Sequence, residues 1–124
     1  MQITHSRELY ADRSDLNESR DCIVRATSVA GCMSYADAHK LLFDHGRKFR
    51  RGTPIAVTMA ALKDEFGASV CHANRTPLSR FVAEHPKGHY VLLTCNHALA
   101  LVDGKVYDWQ PHPRCLIRWY FKLA

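Results

Sequence analysis

No apolar run in this 124-residue chain approaches the ~20 residues that an α-helical membrane span requires. The first residues, Met1-Gln2-Ile3-Thr4-His5-Ser6-Arg7-Glu8, hold no apolar h-region of a secretory signal. A cytoplasmic protein with no membrane partner is therefore expected. A disulfide framework is missing too. The five cysteines are odd in number and irregularly spaced, and a reducing compartment leaves them as thiols. No internal repeat, linker or low-complexity segment breaks the chain.

The composition is that of a folded globular protein, with 47% hydrophobic and 10% aromatic residues. The length suits one core and is too short for two, so a single domain over residues 1–124 is expected. The formal net charge is +5, from 17 Lys and Arg against 12 Asp and Glu. Part of that excess crowds into Arg47-Lys48-Phe49-Arg50-Arg51. Arg47, Lys48, Arg50 and Arg51 make a candidate contact surface for an acidic partner, nucleic acid included. A solvated loop between two helices carries the same composition.

Helical signals come first along the chain. Residues 1–16 are polar and weakly patterned. Asp21 precedes a helix from Cys22 to about Ala30, with Ile23, Ala26, Val29 and Ala30 as its apolar stripe and Gly31 as its stop. Ser34, with Asp37 three residues on, caps a second helix that runs to about His45 and turns Ala38, Leu41 and Leu42 inward. Thr53-Pro54 opens a third, with Ile55, Met59, Leu62 and Phe66 inward and Gly67 at its end. Residues 68–72 read as a short strand, and Thr76-Pro77 opens a short fourth helix with Phe81 and Val82 inward.

After Pro86-Lys87-Gly88 the period changes from helix to strand. Tyr90–Thr94, Asn96–Val102, Lys105–Gln110 and Leu116–Leu123 are the expected strands, with Trp119 and Phe121 in the core. Helices followed by an antiparallel sheet predict an α+β domain.

Cys22, His97 and Asp108 stand out chemically. Asp103-Gly104 between two alternating apolar runs predicts a two-residue type I′ turn. Val102 then faces Lys105, Leu99 faces Asp108, and His97 faces Gln110. Alternation predicts that His97, Leu99 and Asp108 share a face, with the His97 and Asp108 Cβ atoms ~7 Å apart or somewhat less. A slip of one residue would separate them.

A thiol ionises near ~8.5 in water, so it needs help to react at neutral pH. The start of a helix supplies free N–H groups and partial positive charge, and a nearby imidazolium adds more. His97 can take that part if the sheet meets the helix, and Asp108 can hold the imidazole in one tautomer. Attack on a carbonyl also needs oxyanion donors. The Cys22 backbone N–H is one candidate and the Asn17 amide is the other.

Cysteine first, then histidine, then carboxylate, with the helix before the sheet, resembles the papain-like cysteine peptidases. The likeness is greatest to minimal members, such as bacteriocin-processing peptidase domains and short proteins of bacteriophage genomes. It is carried by Asp21-Cys22-Ile23-Val24-Arg25-Ala26, Arg50-Arg51-Gly52-Thr53, His97-Ala98-Leu99-Ala100 and Val106-Tyr107-Asp108, and it extends over most of the chain from Asn17 onward. The resemblance implies a thiol hydrolase without cofactor, acting on a peptide or protein. It assigns Cys22 as nucleophile, His97 as general base and Asp108 as orienting group. A phage-encoded member would work in the host cytoplasm. Papain-like enzymes usually carry a Gln shortly before the nucleophile, whereas the nearest amide here is Asn17.

Rival constellations exist. Cys95 and His97, with His112 and Cys115 and with Cys71-His72 nearby, offer soft zinc ligands. That use of His97 competes with the triad, and no metal site is expected. Three function classes stay open. They are a cysteine peptidase or related amidase, a weak or inactive papain-like protein that binds a host macromolecule through its basic surface, and a nucleic-acid-binding module.

Overall fold

Strands that are apolar on both faces require cover on both faces, and that requirement organises the chain. The computed structural model describes residues 2–5, 21–108 and 115–124, with residues 2–5 and Asp108 described by their backbone alone. Among the described residues there are four helices, α1 (Cys22–Ala30), α2 (Tyr35–Asp44), α3 (Ile55–Phe66) and α4 (Leu78–Glu84). Six strands are β1 (Gln2–His5), β2 (Val70–Pro77), β3 (His89–Leu93), β4 (Ala98–Val102), β5 (Lys105–Asp108) and β6 (Leu116–Lys122). They form one sheet in the order β1-β5-β4-β3-β6-β2. The five C-terminal strands pair antiparallel, and β1 joins β5 in parallel. The architecture is α+β, with α1 to α3 preceding the antiparallel strands.

Alternation along β3 and β4 sorts the core into two layers. Val91, Leu93, Ala98, Ala100 and Phe121 pack against α1, α2 and α3. Tyr90, Leu92, Leu99, Leu101, Val106 and Ile117 pack against Leu78, Phe81 and Val82, the inner face of α4. Cover on both sides explains why β3 and β4 read as continuous apolar runs. Ala98 and Ala100 are small, which lets α1 lie close over β4. Each fully buried Leu stabilises the fold by about 1.5–3 kcal/mol. Among the described residues no helix is long and apolar enough to cross a membrane.

The hairpin register is the one that the sequence predicts. Val102 pairs with Lys105 and Ala100 with Tyr107. Asp103 and Gly104 have φ of 47° and 81°, the left-handed pair that a type I′ turn demands.

Other expectations need correction. Residues 2–5, expected to be unpatterned, form β1 along the free edge of β5. That pairing is made by backbone, so an apolar pattern could not reveal it. The α3 stripe is also displaced. Thr58, Ala61 and Leu62 are buried, while Ile55 and Met59 are 46% and 42% exposed. Ile55 and Met59 stand on the other flank of a helix that is apolar nearly all round. Pro54 and Pro77, not the threonines before them, are the residues preceding α3 and α4. Both hold extended ψ, and the Pro54 carbonyl already accepts from Thr58 N–H at 3.1 Å.

Arg47 is corrected as well. It is 2% exposed, because a Schellman turn through Gly46 carries the chain back over α2. Arg47 N–H donates to Leu42 O at 2.9 Å, and the guanidinium lies 5.9 Å from the Phe43 ring centroid. The basic surface is therefore Lys48, Arg50 and Arg51, all exposed, without Arg47.

Gly31 ends α1 for an unexpected reason. The left-handed residue of that helix end is Cys32, at φ 54°, and Met33 N–H closes the motif onto Ser28 O at 3.0 Å. Gly31 itself has φ −86°. What it lacks is room, since an added Cβ would sit 2.5 Å from Phe66 Cζ of α3. At the far end of α2, His45 is held between Leu41 O (Nδ1, 2.7 Å) and Asp64 Oδ2 of α3 (Nε2, 2.8 Å). Two acceptors require two N–H donors, so both bonds are complete only when the ring is protonated, and the Asp64 bond is the main cause of its raised pKa.

Two outcomes follow for stability. Gly31→Ala forces α1 from Phe66 and should cost about 1–3 kcal/mol in urea unfolding, whereas an unchanged midpoint contradicts the packing role. The His45 contribution is full below the unfolded value near ~6.5 and is lost as pH rises through the raised folded value. Asp64→Asn should therefore weaken the protein more at pH ~6 than at pH ~8.5. An equal loss at both would contradict a charged pair.

Candidate active site

The N-terminus of α1 meets the start of β4, and there the thiol and the imidazole come together. Cys22 is the first residue of α1 and is largely buried. The Asp21 carboxylate before it makes no capping bond to the helix. It is buried instead, accepting from Tyr35 Oη of α2 at 2.6 Å and pairing with Arg25 Nε at 3.4 Å. This cluster ties α1 to α2 and keeps a cation one turn from the sulfur.

His97 is presented by the tight connection between β3 and β4. Thr94 closes that connection from both its groups, donating to His97 O from N–H at 2.8 Å and from Oγ1 at 3.2 Å. The imidazole hydrogen-bonds the Cys22 thiol. A second donor comes from the backbone. Because Thr94 and His97 form a hydrogen-bonded pair, the next pair, Leu93 with Ala98, is a non-bonded one. Ala98 N–H is thereby turned away from β3 and donates to Cys22.

Burial alone would raise the Cys22 pKa. The hydrogen bond and charge of His97, the Ala98 N–H and the Arg25 charge outweigh it, and the thiol is held below its ordinary value. The thiolate is thus favoured by a specific partner set, in the manner of activated cysteines.

A cleft of about 240 Å³ opens beside His97, bordered also by Ile23, Gly52, Thr53, Ile55 and Trp119 among others. Thr53 Oγ1 is buried there without a hydrogen-bond partner among the described residues. Its hydroxyl is available to a bound polar group. Trp119, expected as core, is half-buried and forms a wall of this cleft.

The shared-face expectation is overturned for His97 and Leu99. Leu99 belongs to the layer under α4, whereas His97 reaches Cys22 on the α1 side. The reason is local: His97 lies in the connection before β4 begins, so strand alternation does not extend to it. Asp108 ends β5 with its backbone paired to His5. The predicted contact between its side chain and His97 lies outside the described residues, as do Asn17, Trp109 and His112. Among the described residues no three His, Cys, Asp or Glu side chains gather as a metal set.

Sequence reasoning brought Cys22 and His97 together and missed Arg25, Tyr35, Thr53 and the Ala98 N–H. Arg25 was legible as the i+4 partner of Asp21. Tyr35 and Ala98 act through tertiary contacts that no local pattern announces.

Tyr35→Phe removes the hydroxyl that satisfies a buried carboxylate. It should cost about 1–3 kcal/mol by urea unfolding, and an unchanged stability would show that Asp21 does not depend on that bond.

Comparison of the chain with protein-family models, curated proteins and solved structures gives no match.

Proposed function

We propose that this protein is a thiol hydrolase of papain-like type, a cysteine peptidase or related amidase with Cys22 as nucleophile and His97 as general acid–base. The observation that carries the reading is the hydrogen bond between the Cys22 thiol and His97 at the start of α1, with the thiol pKa lowered by that partner. Lowered thiol pKa values of this origin cluster at functional sites. The adjoining cleft is bordered by His97, the partner of the thiol, and by Ile23, the residue after Cys22.

The reaction is acyl transfer in two halves. The Cys22 thiolate attacks the carbonyl carbon and a C–S bond forms. The tetrahedral oxyanion collapses as His97 protonates the departing amine, and the C–N bond breaks. Water then gives a proton to His97 and its hydroxide attacks the thioester. The C–S bond breaks, the acid leaves, and the Cys22–His97 pair is restored. The Cys22 N–H at the start of α1 and Thr53 Oγ1, which is unpartnered among the described residues of the cleft wall, are the candidate oxyanion donors. In this reading Asp108 orients His97.

A second reading is supported by the exposed Lys48, Arg50 and Arg51 and by Phe49, which is 49% exposed beside them. In it the protein acts by binding a macromolecule, protein or nucleic acid, through that surface. Binding that survives Cys22→Ala and is lost on charge removal at Lys48 and Arg51 supports this second reading, and binding indifferent to those charges contradicts it.

The direct test is an activated acetyl ester, p-nitrophenyl acetate, with the acyl site mapped by mass spectrometry. The acetyl group should appear on Cys22 as p-nitrophenolate leaves. His97→Ala should slow acylation by about 10²–10⁴-fold, and Asp108→Asn should slow it by less. Acetylation spread evenly over the five thiols, or a rate indifferent to His97, would remove the enzyme reading.

A further inference from the structure

Beyond the thiol cleft lies a second hollow of about 370 Å³, bordered by Arg75, Cys115, Leu116 and Arg118. Thr94, Cys95 and Asn96 border both hollows, so the two adjoin at the β3–β4 connection next to His97. Among the described residues no carboxylate borders either part. Among the described residues neither Arg75 nor Arg118 is paired with an acid.

Both arginines are held toward this hollow by the fold. Arg75 sits in the irregular stretch of β2 between His72 and Thr76, where Asn74 and Arg75 both take positive φ. Bulges of this kind re-aim a side chain away from the strand's alternation. The Arg118 guanidinium stacks 4.8 Å from the Trp119 ring centroid, and Trp119 walls the thiol cleft. The exposed Lys48 and Arg51 lead directly into Gly52 and Thr53 of the cleft wall.

We infer that this site takes acidic peptide segments, with an Asp or Glu side chain of the substrate seated on Arg75 and Arg118 a few residues from the scissile carbonyl. The inference rests on Cys22 being the nucleophile of that cleft. Arg118 in particular presents a planar fork suited to a carboxylate. A peptide is favoured over nucleic acid because the two arginines border one local hollow next to the His97 cleft, whereas a nucleic-acid site tracks phosphates with an extended basic stripe.

The test compares three peptidyl vinyl sulfones that differ only in a Glu, Gln or Lys flanking the warhead, with Cys22 labelling read by mass spectrometry and iodoacetamide as the reference. The Glu probe should label Cys22 roughly three- to tenfold faster than the Gln probe, the scale of one or two exposed charge contacts. The Lys probe should be slower than both. Arg75→Gln combined with Arg118→Gln should bring the Glu-to-Gln ratio near one, and so should high salt on the unaltered protein. Iodoacetamide labelling of Cys22 with no Glu preference overturns the specificity alone. Absence of Cys22 labelling by every reagent overturns the nucleophile reading and this inference with it. A single-stranded oligonucleotide that protects Cys22 from iodoacetamide better than an acidic peptide does would replace the peptide by nucleic acid.

Discussion

The contact between the N-terminus of α1 and the start of β4 is the constraint on which the site depends. It is a packing contact before it is a chemical one. Ala98 and Ala100 are small enough for α1 to lie close over the sheet, and Gly31 is small enough for Phe66 of α3 to close over the other end of the helix. With both ends of α1 fixed, Cys22 has one position relative to His97. The thiol then meets a side-chain partner and a backbone N–H at once, and its pKa is lowered despite burial. Enlarging any of these small residues would shift the helix along the sheet and change the chemistry through geometry alone.

Behind the reactive pair, polar groups that a helix N-terminus usually takes from its cap are used differently. Asp21 does not cap α1. It is buried with Tyr35 and Arg25 and joins the first two helices. A buried carboxylate is costly unless its lone pairs are filled, so this cluster fixes the orientation of α1 and α2 while keeping the Arg25 charge near the sulfur. Positioning and electrostatics are therefore supplied by the same residues.

Much of the architecture was legible in local patterns. The hairpin register followed from Asp103-Gly104, because only left-handed backbone closes a two-residue turn without splaying its strands. The start of α1 at Cys22 and the Ser34 cap followed from capping chemistry. What local patterns could not reach was set by tertiary contact. Arg47 belongs to a basic run but is carried inward by the turn after α2. Residues 2–5 pair through backbone that any sequence offers. Alternation failed at His97, which stands one residue outside its strand, and yet that displacement is what brings it to Cys22. Cys22 and His97 do meet, but at the strand end and not through the face alternation that predicted the contact.

The second hollow adds a reason for the basic balance of the chain. Arg75 and Arg118 border the hollow that adjoins the His97 cleft, and Lys48 and Arg51 are exposed just before Gly52 and Thr53 of that cleft's wall. All of this presupposes a reactive Cys22. The most direct measurement is the ultraviolet thiolate absorbance of the protein across pH, with Cys22→Ser subtracted to isolate one thiol. The account predicts a Cys22 transition below the ordinary thiol value, which moves upward in His97→Ala. A transition at or above the ordinary value, unmoved by loss of His97, would contradict it.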